Sequence, residues 1–73
     1  MPVLDIVHFT DRDSGDAAFV LVRVEGTTID LTLSLKSDGD LSVFFGLAEL
    51  ERLIQALEEA HRQLQATQHP PHE

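Results

Sequence analysis

The chain has no cysteine, so neither a disulfide nor a thiolate metal site can hold it together. Basic residues are scarce. Arg12, Arg23, Lys36, Arg52 and Arg62 stand singly against 13 acidic side chains, for a formal charge of −8. Phosphate backbones repel such a surface, and nucleic-acid affinity rests on clustered Lys and Arg. Direct binding to nucleic acid or to an anionic membrane is therefore not expected, whereas a basic protein partner or a cation is electrostatically easier. No apolar run approaches the roughly 18 residues needed to cross a bilayer. Positions 1–10 carry Asp5 but no positive side chain, which is unlike a secretory leader. Cytoplasm is the expected compartment.

What is present is 73 residues with a hydrophobic fraction of 42%, enough for one folded domain and no more. A chain this short keeps much of its surface in water, and natural domains of this size add a disulfide, a metal or a partner subunit. With cysteine absent, a second copy of the chain is the favoured addition. No cofactor is implied.

Residues Val3–Thr10 (VLDIVHFT) read as a first strand of imperfect alternation, and Asp11–Asp16 (DRDSGD) as a loop. Ala17–Glu25 is a second strand and Thr28–Lys36 a third. In the third, Ile29, Leu31, Leu33 and Leu35 alternate with Thr28, Asp30, Thr32, Ser34 and Lys36. Period two this clean puts one side in a core and the other in water. A two-residue Gly26-Thr27 turn sets Val24 against Ile29, Val22 against Leu31, Val20 against Leu33, and Arg23 against Asp30. A three-residue Ser37-Asp38-Gly39 turn would set Lys36 against Asp40, Leu35 against Leu41, Leu33 against Val43 and Leu31 against Phe45.

Leu41–Phe45 is the fourth strand. Gly46 then starts a helix whose Leu47, Leu50, Leu53, Ile54, Leu57, Ala60 and Leu64 recur at three- and four-residue spacing. Glu49 and Glu51 suit its N-terminal end, and Glu58 and Arg62 are placed as an i,i+4 pair. Pro70 and Pro71 end it near Thr67, leaving 1–67 as the domain and 68–73 as a flexible tail. Short connections predict an α+β meander, ββββα in order 1-2-3-4, with the amphipathic helix packed on one sheet face. The core side would carry Val20, Val22 and Val24, then Ile29, Leu31, Leu33 and Leu35, then Leu41, Val43 and Phe45.

Two surfaces are candidates for function. In a meander the first and third turns share one end of the sheet, so Asp11, Asp13, Asp16, Asp38 and Asp40 would form an acidic rim. The C-terminal end of the helix would return toward it. Carboxylates gathered this way suit a hard cation or a basic partner, but loop aspartates also cap their own turns. DRDSGD resembles the opening of an EF-hand loop. However, Gly15 falls one place early, Asp16 takes the glycine position, and Val22 stands where the closing acid belongs. No metal site is assigned.

The second candidate is the outer sheet face. If Leu4 and Ile6 join the core, then Val3, Val7 and Phe9 turn outward, to the side that receives Phe19, Leu21 and Phe44. An apolar patch on a face that should be polar marks an interface, here Phe9, Phe19, Leu21 and Phe44. The opposite register of the first strand would bury Val3, Val7 and Phe9 and still leave Phe19, Leu21 and Phe44 uncovered. The helix itself offers two overlapping stripes: Leu50, Leu53, Leu57, Ala60 and Leu64, and Leu47, Leu50, Ile54, Leu57 and His61. Both can serve a wide core face, or one can meet a partner helix.

No glycine-rich phosphate loop, nucleophile elbow or paired-histidine helix occurs, and His8, His61, His69 and His72 are scattered. The expectation is a small acidic, non-catalytic protein-interaction module, regulatory, adaptor or inhibitory, acting as a homodimer. The alternatives are an acidic inhibitor or immunity-type protein that blocks a basic site, and a cation- or ligand-binding domain. The order of elements resembles that of the dimeric single-stranded-DNA-binding coactivators and, in part, the plant Whirly proteins. That resemblance implies a curved sheet and pairing through C-terminal helices. The basic and aromatic sheet surface that holds a nucleic-acid strand in those families has no counterpart here.

Overall fold

The computed structural model describes residues 3–68. Four antiparallel strands, β1 (Val3–Thr10), β2 (Ala17–Glu25), β3 (Thr28–Leu35) and β4 (Gly39–Phe45), form one open sheet in the order β1-β2-β3-β4. A C-terminal helix, α1 (Leu47–Gln68), follows. The molecule is an α+β chain of the ββββα type. Of the tail at 68–73, Gln68 still belongs to α1, and 69–73 lie outside the described residues, with His69 and His72.

The β2–β3 hairpin has the register that alternation dictates: Val24 opposite Ile29, Val22 opposite Leu31, Val20 opposite Leu33 and Arg23 opposite Asp30. Gly26 has φ 61° while Thr27 stays at negative φ. A glycine at the first central position is what a tight two-residue turn needs to match the twist of its strands. Here a slip of one residue would have turned every leucine of β3 to the wrong side.

The β3–β4 turn differs from expectation. Leu35 lies opposite Gly39, Ser34 opposite Asp40, Leu33 opposite Leu41, Leu31 opposite Val43 and Ile29 opposite Phe45. Lys36 is drawn out of the strand into the turn, where the Asp38 N–H donates to the Leu35 carbonyl at 2.9 Å. Gly39 has the left-handed conformation expected of it, at φ 90°, but pairs with Leu35 instead of closing a Ser37-Asp38-Gly39 loop. The register moves by two residues, and a shift of two leaves every side chain on its own face. Apolar still meets apolar, and the other face gains two side-chain bonds. Ser34 Oγ donates to Asp40 Oδ1 at 2.6 Å, and the Thr32 and Ser42 hydroxyls lie 2.7 Å apart.

From Asp5 onward β1 takes the second of its two readings, whereas Val3, opposite Arg23, stays on the other face. Val7 lies opposite Val20 and Phe9 opposite Ala18, on the leucine face, while Ile6 lies opposite Leu21 and His8 opposite Phe19 on the other. An irregularity between Val3 and Asp5 offsets the start of the strand. Apolar side chains occur at both parities in VLDIVHFT, so hydropathy left the facing of this strand open. Pairing through Thr10 and Ala17 decided it.

Gly46 caps α1. The Glu49 carboxylate accepts its N–H at 3.1 Å, and its carbonyl accepts the Leu50 N–H at 3.0 Å. This is the acidic half of a capping box, with glycine in place of the hydroxyl residue. On the outer surface Arg62 pairs with Glu59, one turn away at i,i+3, rather than with Glu58. Glu59 also accepts from Gln63 Nε2 at 2.9 Å.

The helix meets the sheet chiefly at β3. Leu47 and Leu50 border a hollow with Val24 and Ile29, at the β2–β3 end of the leucine face. Beyond Leu53 every described helical residue is exposed. The expected cover over the whole face is reduced to these first turns. The radius of gyration is 15.0 Å and the principal extents are 50 × 31 × 17 Å, against about 11 Å for the radius of a compact chain of this length.

Candidate functional site

The leucine face spans all four strands of the sheet. Four strands contribute Val7 and Phe9, Val20 and Val22, Leu31 and Leu33, and Leu41 and Val43 to one side. Exposure is 52% for Val7, 47% for Leu33, 64% for Leu41 and 44% for Val43. The helix repeats the pattern, with Leu47, Ile54, Leu57 and Leu64 all exposed. Among the described residues Ala18 is the one buried hydrophobic side chain. The accessible surface is 6006 Å², against about 4,500 Å² for a folded monomer of this mass. The excess is on the order of 1,000 Å², similar to what one partner gives up in a standard protein interface. Of the ten residues expected to make the core none is fully buried: Leu33, Leu41 and Val43 are exposed and the other seven half-buried.

The opposite face is polar at its centre and well satisfied. Asp30 is 1% exposed. Its Oδ2 accepts from Arg23 Nε at 3.0 Å and from Arg23 Nη2, and its Oδ1 accepts from the Thr32 hydroxyl at 3.1 Å. Thr32 passes the chain of bonds to Ser42. A carboxylate can be buried here because each oxygen has a donor and a guanidinium stands beside it. Around this ladder sit Phe19 and Leu21 of β2 and Phe44 of β4, with Phe44 57% exposed. The His8 and Phe19 rings lie 5.7 Å apart, tilted by 58°.

Of the four side chains expected at an outer-face interface, the fold therefore groups Phe19, Leu21 and Phe44. Phe9 is a correction. It stands on the leucine face, because β1 pairs with the facing that places it beside Ala18 rather than beside Phe19. The leucines themselves were missed as interface residues. The signal that could have found them is the single-residue link at Gly46, too short to carry a helix back over a sheet.

The acidic rim forms in part. The β1–β2 loop and the β3–β4 turn emerge at one end of the sheet, tied by the Lys36 N–H to the Ala17 carbonyl at 3.0 Å. Asp11 and Asp38 border the same shallow hollow, floored by Phe9, Ala18 and Leu33 of the leucine face. Yet two of the five carboxylates, those of Asp11 and Asp40, are engaged locally. Asp11 Oδ2 accepts from the Ser14 N–H and the Ser14 hydroxyl, both at 2.8 Å. These two bonds, the backbone one foremost, hold the Asp11 carboxyl below its ordinary value. Asp40 accepts from Ser34. Asp16 contributes its backbone, its N–H donating to Ser14 Oγ at 3.2 Å and its carbonyl accepting from the Asp11 N–H at 2.9 Å. The helix does not lie back over the sheet, so its C-terminal end is not returned along it toward the rim. Among the described residues no three His, Asp or Glu side chains converge as they would around a metal ion, and no helix is long and apolar enough to cross a membrane.

No family model, curated protein or solved structure matches the chain.

Proposed function

We propose that the chain is a small acidic, non-catalytic protein-interaction module that works as a homodimer. One observation carries this reading: a four-stranded face of aliphatic side chains stands uncovered, and among the described residues a lone alanine is the buried hydrophobic side chain. A soluble monomer rarely exposes apolar patches beyond a few hundred Å². A chain of 73 residues without disulfides has little else to stabilise it. Regulatory, adaptor and inhibitory roles all fit a module of this kind.

Light scattering behind size exclusion, across a dilution series, tests the reading. The expected mass is that of two chains. Because two protomers of charge −8 repel, added salt should hold or tighten the dimer by screening. A single-chain mass at high concentration overturns it.

A second reading has its own support. Asp11 and Asp38 bracket one end of the sheet in a strongly acidic chain, and such a pole suits a basic site on another protein. This is the acidic-inhibitor role, and its complex should weaken sharply with salt.

A further inference from the structure

We propose that the leucine face of each protomer is covered by helix α1 of a second copy, given and received reciprocally. The inference rests on the homodimer reading and names which surfaces meet.

The chain carries two unpartnered apolar surfaces that complement one another. Four strands at about 4.8 Å spacing make a face roughly 14 Å across and about 26 Å long. The 22 residues of α1 span about 33 Å as a cylinder roughly 10 Å wide. A helix laid on a sheet is one of the few ways such surfaces close into a core.

The protomer cannot close it alone. β4 ends at Phe45 and α1 begins at Leu47, so Gly46 is the whole connection. One residue reaches at most about 3.6 Å. A helix stacked on a sheet needs its axis lifted by roughly a helix diameter, and strand–helix links of this kind usually run to about 2–6 residues. Gly46 is also held at both ends, its N–H by Glu49 and its carbonyl by Leu50. The helix therefore leaves the sheet after Leu47 and Leu50 reach Val24 and Ile29, and its later apolar residues, Ile54, Leu57 and Leu64, stay exposed in their own chain.

Among symmetric pairings, reciprocal exchange covers both surfaces at once. Helix against helix leaves two leucine faces open, and face against face leaves two helix stripes open. Charge agrees. The helix bears Glu49, Glu51, Glu58 and Glu59, whereas Asp5 is the one charged residue that the described strand pairs turn to the leucine face. A helix on that face avoids setting carboxylates against carboxylates. The area agrees as well, since an excess on the order of 1,000 Å² per protomer meets what a stable dimer needs.

The absence of cysteine makes the test clean. Leu33→Cys and Leu57→Cys are prepared separately with distinguishable tags, shown by light scattering to remain dimeric, mixed to exchange subunits, and treated with a flexible bismaleimide. Cysteine is itself a small apolar side chain, so both surfaces stay intact. The expected product is a mixed dimer cross-linked from position 33 of one variant to position 57 of the other. It should form on the order of tenfold above either like-with-like product, because proximity sets the rate. Excess of the 57–57 product (helices paired), excess of the 33–33 product (faces paired), or no mixed product from dimeric protein each overturns the exchange and leaves the homodimer standing. A double variant, Leu33→Cys with Leu57→Cys, that links only within one chain also overturns it. A single-chain mass for the unmodified protein overturns the homodimer reading itself.

Discussion

The two faces of the sheet are built from the same strands and have opposite fates. The leucine face is apolar save for Asp5 on its edge strand, yet Leu33 and Leu41 are among its well-exposed members. The other face has Asp30 at its centre, and among the described residues this carboxylate is more completely buried than any aliphatic side chain. Burial within the protomer thus follows hydrogen bonding. β2 brings Arg23 alongside Asp30, Thr32 of the same strand bonds it, and Ser42 of β4 bonds Thr32, all without help from another layer. Apolar side chains have no such lateral solution, because they leave water only when a second layer arrives. In this chain the second layer, linked through Gly46 alone, reaches its own sheet only in its first turns.

The sharpest way to break the comparison is a matched pair of substitutions on β4, where Leu41 and Phe44 are similarly exposed, at 64% and 57%, on opposite faces. Leu41→Ser should weaken self-association by about 4 kcal/mol, about 2 for each of the two leucines a symmetric dimer buries, or on the order of a thousandfold in the dissociation constant. Phe44→Ser should leave it unchanged. Sedimentation at graded concentration reads both; equal effects would mean that the faces are not functionally distinct.

Arg23→Ala addresses the polar face. It strands a buried carboxylate, a loss of several kcal/mol for a fully buried pair. The guanidinium side chain is 41% exposed, so water can partly replace it and the expected loss is about 2 kcal/mol. Urea unfolding measures this at fixed protein concentration, because self-association would make the midpoint depend on concentration. A change within error would mean that water satisfies Asp30 as well as arginine does.

Gly39→Ala tests the turn that sets both faces in register. A Cβ at Gly39 meets no atom within 4 Å, so the cost is backbone strain alone at φ 90°, about 1–2 kcal/mol. A shift in the urea midpoint with an unchanged slope is expected.

The smallest effect lies at the rim. Asp11 has a lowered pKa, so its loop contact is fully present above the ordinary value of 3.8 and is lost as pH falls through the lower folded value. Ser14→Ala removes the hydroxyl donor while keeping the backbone one. The Asp11 titration, followed by carboxyl carbon NMR, should move part of the way back toward 3.8. An unmoved midpoint would mean that the serine hydroxyl is bonded elsewhere in solution.

Legibility in the sequence varied with how many independent signals agreed. β2 and β3 carried three: clean alternation, a glycine at the turn, and one basic residue facing one acid. Their register follows residue by residue. β4 had alternation but an ambiguous turn, since Lys36 could serve either as strand or as loop. The pairing moved by two residues while every side chain kept its face. β1 had apolar residues at both parities, and so Phe9 went to the side that hydropathy could not choose. Among the rim residues, Asp11 and Asp38 border one hollow as chain order requires, but the Ser14 bonds that engage Asp11 depend on the detailed path of the loop.

By itself the sequence determined the number and order of the elements, the facing of the three later strands, the amphipathic helix and the negative charge. Each is set by local periodicity or simple composition, which act within a few residues of chain. Pairing and packing settle the facing of β1, the register of the β3–β4 turn, and above all that the helix leaves the sheet after its first turns. These depend on pairing between distant residues and on the reach of one glycine. Hydrophobic pattern is blind to both, because it records which side chains avoid water and not which molecule supplies the cover.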